Sequence, residues 1–200
     1  MKSNSLLVFG DSITYGAYDN ECGGWVNRLR LDLENNYLQS YTVFNLGISG
    51  QTTSDVLTRL ESEIVTRYDE NKNTIVVFAV GINDTQMING KERISIVQFS
   101  NNIRELISII RNFTENIVFV GLSIADEKKT TPIPWNKDKS YLNSRIRSFD
   151  NEIEKICKEE KVEYIEIWKS LSLFDLEDGL HPNSMGHQKL KEEIKKSLLD

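Results

Sequence analysis

The sequence predicts an α/β domain with a five-stranded parallel sheet covered by helices on both faces, and three observations carry that expectation. Five short runs are nearly continuous in apolar residues, as strands buried on both faces are. Longer segments of helical period separate them. The alternation of the two, repeated to the C-terminus, is the pattern of right-handed βαβ crossovers. A chain of 200 residues is about as much as one core organises, so one domain over residues 1–200 is expected.

In chain order, Leu6 to Phe9 reads as the first strand, and Trp25, Leu29 and Leu33 mark one face of a helix. Thr42 to Leu46 is the second strand, and Val56, Leu60 and Ile64 outline the next helix. Thr74 to Val80 follows as a strand, then a helix carrying Phe99, Ile103, Leu106, Ile107, Ile110 and Phe113 on its apolar face. Asn116 to Leu122 and Val162 to Ile167 complete the strands, flanking a helix through Leu142, Ile146, Phe149, Ile153 and Ile156. Leu190, Ile194 and Leu198 outline the terminal helix. The one compositional break is Asp126 to Lys139, rich in charge and holding Pro132, Pro134 and Trp135, which reads as a long loop. No period of 20 to 50 residues repeats.

Composition narrows the function. Lys and Arg number 24 against 30 Asp and Glu, a formal charge of −6, which disfavours nucleic acid and anionic membrane surfaces and leaves neutral or cationic small substrates open. No apolar run approaches the roughly 20 residues of a spanning helix. Leu6 to Phe9 is too short for a signal-peptide core and runs directly into Gly-Asp-Ser, so a cytoplasmic location is expected. Cys22 and Cys157 are too few for a disulfide scaffold, and with two histidines no metal cluster is assembled by spacing. Asn112-Phe113-Thr114 and Asn83-Asp84-Thr85 match the glycosylation pattern and read as accidental.

Ligands of open α/β sheets bind beyond the carboxyl ends of the strands, so the strand ends are where chemistry is expected. The first ends in Gly10-Asp11-Ser12-Ile13-Thr14, a hydroxyl on a tight turn with glycine supplying backbone freedom. Alone this is weak, because Gly-Asp-Ser is common in turns and serine caps helices. The second strand runs into Asn45-Leu46-Gly47-Ile48-Ser49-Gly50 and the third into Gly81-Ile82-Asn83-Asp84. Glycine amides and an amide side chain at one edge are the materials of an oxyanion hole. A base is also needed. His181, in Asp178-Gly179-Leu180-His181-Pro182-Asn183, has a carboxylate three residues upstream to orient its ring. His187, in Gly186-His187-Gln188, reads as a surface or capping histidine.

These four blocks, in order, resemble the conserved blocks of the GDSL lipases and esterases of the SGNH hydrolase superfamily, and together they span nearly the whole chain. The resemblance implies a three-layer α/β/α sandwich with a flavodoxin-like sheet. It also implies Ser12 as nucleophile, His181 as base and Asp178 as its orienting acid, with the Ser12 amide, the Gly47 amide and the Asn83 side chain as oxyanion donors. The chemistry is self-consistent, since a serine hydroxyl needs an imidazole of fixed tautomer to take its proton, and ester cleavage by this route requires no metal or organic cofactor.

Other residues have plainer readings. Trp25 and Trp168 read as packing residues within predicted elements, and Asp11 as a structural acid pinning neighbouring loops, since adjacent side chains on a turn point apart. Asp84 reads as a turn or helix-cap residue. Trp135 is either a loop anchor or a wall of a pocket. Lys189, Lys191, Lys195 and Lys196 alternate with Glu192 and Glu193, as on a solvated helix face. The expected activity is hydrolysis of small carboxylic esters through an acyl-enzyme, carbohydrate deacetylation included, with a lysophospholipase or thioesterase as the alternative within the family. A non-catalytic binding module on the same scaffold would be expected to have lost Ser12, His181 or a donor, and none is lost. No Gly-rich phosphate fingerprint supports a nucleotide binder. The oligomeric state is not encoded.

Overall fold

The computed structural model describes residues 2–37 and 40–199. The elements run β1 (Asn4–Gly10), α1 (Ser12–Tyr15), α2 (Trp25–Asn36), β2 (Tyr41–Gly47), α3 (Thr53–Arg67), β3 (Asn73–Ala79), β4 (Met87–Ile88), β5 (Lys91–Glu92), α4 (Ile96–Ile110), β6 (Ile117–Val120), α5 (Glu127–Thr130), β7 (Lys139–Ser140), α6 (Asn143–Glu160), β8 (Glu163–Ile165) and α7 (Ser184–Leu199). The main sheet is parallel throughout, in the order β2-β1-β3-β6-β8.

Period-two alternation sorts the core into two layers. Leu7, Phe9, Val76, Phe78, Ile117 and Phe119 point to one face, where they pack against α3, α4 and α6. Leu6, Val8, Val77, Val118 and Val120 point to the other, beneath α2 and α7. Phe9, Phe78 and Phe119 form a stacked row across three strands, with centroids 5.7 and 4.9 Å apart. The predicted three-layer architecture and its five strands are therefore present.

Several local expectations change. Asp126 to Lys139 is more than a loop: it contains α5, and β7 at its end joins β4 and β5 in a small antiparallel sheet of order β5-β4-β7. Leu142 caps α6 rather than lying in it, and Phe113 lies past the end of α4 while still packing on the same core. Trp168 sits in a turn after β8, beneath the Arg147 guanidinium at 5.1 Å. Among the described residues no helix is long and apolar enough to cross a membrane.

Candidate active site

The carboxyl ends of the main strands present one after another the parts of a cleft of about 390 Å³. The polypeptide turns sharply after β1. Asp11 caps α1, its carboxylate accepting from the Ile13 N–H at 2.9 Å, which leaves Ser12 as the first residue of that single-turn helix. The turn works by close approach. Gly10 keeps a negative φ, and a Cβ there would collide with the Thr14 hydroxyl at 2.0 Å and the Ala79 carbonyl at 2.5 Å. Asn45 clamps the turn from β2 by donating to the Thr14 carbonyl at 3.0 Å.

Ser12 Oγ lies 2.9 Å from His181 Nε2, and His181 Nδ1 lies 2.6 Å from Asp178 Oδ2. The two Asp178 oxygens divide their work. Oδ1 accepts from the Leu180 and His181 backbone amides at 2.9 and 2.8 Å and shapes the loop, while Oδ2 takes the ring. Burial pushes the Asp178 carboxyl up, but the His181 ring and these amides together outweigh it and hold it at about 2. An ionised carboxylate at Nδ1 places the ring proton there and leaves Nε2 with its lone pair toward the serine hydroxyl. The loop itself is a narrow hairpin, with Leu176 bridged to Pro182 and its base tied to α7 by the ion pair of Asp175 with Lys189 at 2.8 Å.

Asn83 stands on the opposite wall. Its Oδ1 accepts from the Tyr141 hydroxyl at 3.0 Å, and that hydroxyl accepts from Gln86 Nε2 at 2.7 Å. This chain fixes which end of the amide is which, so Nδ2 donates to the Gln51 carbonyl at 3.0 Å and keeps a second N–H to spare. Asp84 beside it is fully buried and does cap a helix, though not the one that follows it in sequence: its carboxylate accepts from the Thr53 amide at 3.0 Å and binds the Thr53 hydroxyl, at the start of α3. Burial, with the Asp11 carboxylate adding to it, pushes Asp84 up to about 7. Asp11, also buried, is raised to about 6, and its hydrogen bond pins its own turn rather than a neighbouring loop.

Gly47 corrects an expectation. Its amide donates to Asn45 Oδ1 at 3.0 Å and it does not line the cleft, so it has no free N–H to offer there. It is small because α1 passes against it: a Cβ would meet the Tyr15 amide at 2.3 Å. Gly50, three residues on, lines the cleft instead in a left-handed conformation with φ of 80° and open space around it. The sequence block held both glycines, and strand register separates them: Gly47 is the last residue paired to β1, whereas Gly50 lies in the loop beyond. The Ser12 amide, first in α1, has no carbonyl partner within the helix.

Sequence reasoning missed the rest of the cleft. Tyr18, with φ of 67°, sets its ring 5.3 Å from the His181 ring. Gln86, Arg93, Lys139 and Tyr141 come from the small antiparallel sheet and its margins, elements too short to leave a periodic signal. Trp135 is exposed and lines the cleft, which answers its open alternative in favour of the wall. His187 is neither on the surface nor in the cleft. It is fully buried, with Nδ1 accepting from the Trp25 amide at 3.2 Å and Nε2 donating to the Ala17 carbonyl at 3.0 Å, and burial pushes its pKa down.

Residues 8–189 match the model of the GDSL-like lipase/acylhydrolase family. The chain belongs to that family. It is accordingly a hydrolase acting on ester bonds. Among this family member's relatives, the isoamyl acetate-hydrolysing esterase of Saccharomyces cerevisiae is 25% identical over 98% of this chain and 86% of its own length. The arylesterase of Vibrio mimicus is 26% identical over 90% of this chain and 80% of its own. The fold matches that of a lipase/acylhydrolase from Enterococcus faecalis with a TM-score of 0.77, at 24% identity over 98% of this chain and 95% of that one.

Proposed function

We propose that this hydrolase cleaves esters of short carboxylic acids with polar alcohols, acetylated sugars among them, through an acyl-enzyme on Ser12. The observation that carries the reading is the unbroken chain Ser12 Oγ, His181, Asp178, with contacts of 2.9 and 2.6 Å, at a cleft whose aliphatic lining is confined to Ala17, Ile133 and Leu180. Polar and charged side chains, Ser49, Asn83, Gln86, Arg93 and Lys139 among them, interrupt that lining, which favours a short acyl group. The two curated relatives, named for isoamyl acetate and for aryl esters, support small substrates.

In this mechanism His181 Nε2 takes the Ser12 proton as Oγ attacks the ester carbonyl, and Asp178 stabilises the imidazolium that forms. Negative charge moves onto the carbonyl oxygen, where the Ser12 and Gly50 amides and Asn83 Nδ2 are the donors we assign. Each such donor is worth about 2.7 to 4 kcal/mol in the transition state. His181 then returns its proton to the leaving alcohol. Water, deprotonated by the same ring, attacks the acyl-enzyme, and collapse of the second tetrahedral intermediate frees Ser12.

A fluorophosphonate should label one residue, Ser12, with stoichiometric loss of activity, and kcat/KM across p-nitrophenyl esters should fall from acetate to octanoate. Label on Ser49 or Ser123, or rates that climb with chain length, would sink the respective half of the proposal.

A further inference from the structure

The net charge of the chain is −6, and the lining of the cleft has the opposite sign. Two cations, Arg93 and Lys139, line it and no carboxylate does. Asp178 is near but stands behind His181 and is engaged by it. The small sheet explains the placement. Ile88 pairs with Lys139, and the Arg93 amide donates to the Gln86 carbonyl at 2.9 Å, so alternation along the strands puts Gln86, Arg93, Lys139 and Tyr141 on one face. That face is the wall opposite His181.

The two cations differ in what they already hold. The Arg93 guanidinium donates to the Gly50 carbonyl at 3.0 Å and to Gln86 Oε1 at 3.4 Å, with Asp55 at 4.0 Å. It is a brace of the Gly50 loop as well as a charge. Lys139 is half-buried on β7, and its ammonium has no hydrogen-bond or ion-pair partner among the described residues. Two acids near the small sheet are committed: Glu92 pairs with Arg145, and Asp55 closes the capping box of α3 with Thr52. A lysine whose stem is half-buried in the cleft wall and whose ammonium stays accessible and without a counter-charge is placed to receive an anion.

We propose that the substrate ester carries a carboxylate within reach of its scissile carbonyl, held by Lys139 with Arg93 behind it. This deepens the esterase reading and rests on it. The carboxylate can belong to the alcohol or to the acid, and matched pairs distinguish the two: 4-acetoxybenzoate against 4-acetoxybenzamide, and the 4-nitrophenyl half-ester of glutarate against its methyl ester. Each kcat/KM is normalised to the uncatalysed rate in the same buffer.

The charged member of one pair should be preferred about fivefold at low ionic strength, the size of one partly exposed ion pair. The preference should shrink with added salt and vanish in Lys139→Met. Equal rates within both pairs would overturn the subsite and leave the esterase reading intact. A preference that survives Lys139→Met would overturn it too. If neither pair is turned over, calorimetry on Ser12→Ala with both pairs decides: tighter binding of a carboxylate member sustains the subsite while the reading of short esters with polar alcohols falls, and equal binding within both pairs removes the subsite as well.

Discussion

His181 and His187 stand six residues apart at the start of the C-terminal segment, and the structure puts them to opposite uses. His181 faces the cleft, its side chain 13% exposed, between Asp178 and Ser12. His187, at 0% exposure, ties the first amide of α2 to the Ala17 carbonyl and so supports the cleft wall from behind. Both rings make two hydrogen bonds. What differs is the partner: a backbone amide and a carbonyl only hold the ring of His187, whereas the partners of His181 are a hydroxyl that can give up its proton and a carboxylate that can stabilise the charged ring. Solvent access and partner chemistry, not residue type, divide the side chains that act from those that hold.

The comparison breaks most easily at the acting histidine. His181→Ala should lower kcat by roughly 10⁴ to 10⁶ with little change in melting temperature. Steady-state kinetics beside a melting curve check it, and a variant that kept most of its turnover would remove His181 from the mechanism. Next in size is Asn83→Ala, for which a loss of about 10² to 10³ in kcat with KM nearly unchanged is expected, because the amide matters more to the charged transition state than to the ester. If the variant melted lower but turned over normally, Asn83 would belong with the holding residues.

How much of this division the sequence carried depended on how far each partner lies along the chain. Asp178 and His181 were legible together because the bond between them spans three residues, and Ser12 because strand ends converge. The two glycines of Asn45-Leu46-Gly47-Ile48-Ser49-Gly50 were not separable, since choosing between them requires knowing where pairing with β1 stops. Tyr141, Lys139 and Arg93 are not legible: two-residue strands have no period to read, and the place of Tyr141 and Lys139 depends on pairing of β7 with β4, some 50 residues away, while that of Arg93 follows from the short β4–β5 hairpin. His187 reads from the sequence as a surface or capping histidine, because its burial depends on α2 and α7 packing on the same face of the sheet.

On the holding side, His187→Ala should cost about 2 to 4 kcal/mol of stability, since it leaves a cavity and strips the Trp25 amide and Ala17 carbonyl of their partner. Chemical denaturation measures this. Because burial keeps the folded ring neutral, wild-type stability from this group is present above about pH 6.5 and is lost as pH falls below it. A variant as stable as the parent would show that the buried ring is dispensable.

Asp84 gives the opposite sign. Its folded pKa, raised to about 7 from an ordinary value of 3.8, means the folded state keeps a proton that the unfolded chain releases. Its stabilisation is therefore complete below about pH 4 and is lost as pH rises through 7. Asp84→Asn keeps an acceptor for the Thr53 amide without the titration, so the stability of the variant relative to wild type should improve by about 2 kcal/mol between pH 5 and pH 8. A difference that stays constant over that interval would mean the carboxyl is ionised throughout.

Tyr141 lies on the border between the two groups, and it gives the smallest and sharpest test. Its hydroxyl is engaged on both sides: it donates to Asn83 Oδ1 and accepts from Gln86 Nε2, and so sets the direction of the Asn83 N–H. Tyr141→Phe keeps the ring and its packing while releasing that constraint. If orientation of the amide is what the hydroxyl supplies, kcat should fall about five- to tenfold with KM unchanged, corresponding to roughly 1 to 1.4 kcal/mol of lost transition-state stabilisation. In Asn83→Ala the same substitution should then cost nothing further, because there is no amide left to orient. A purely structural hydroxyl predicts the other pattern, a lowered melting temperature with the kinetic loss either absent or additive in the double variant. The cycle of four proteins thus reports whether Tyr141 acts through Asn83 or merely supports the fold around it.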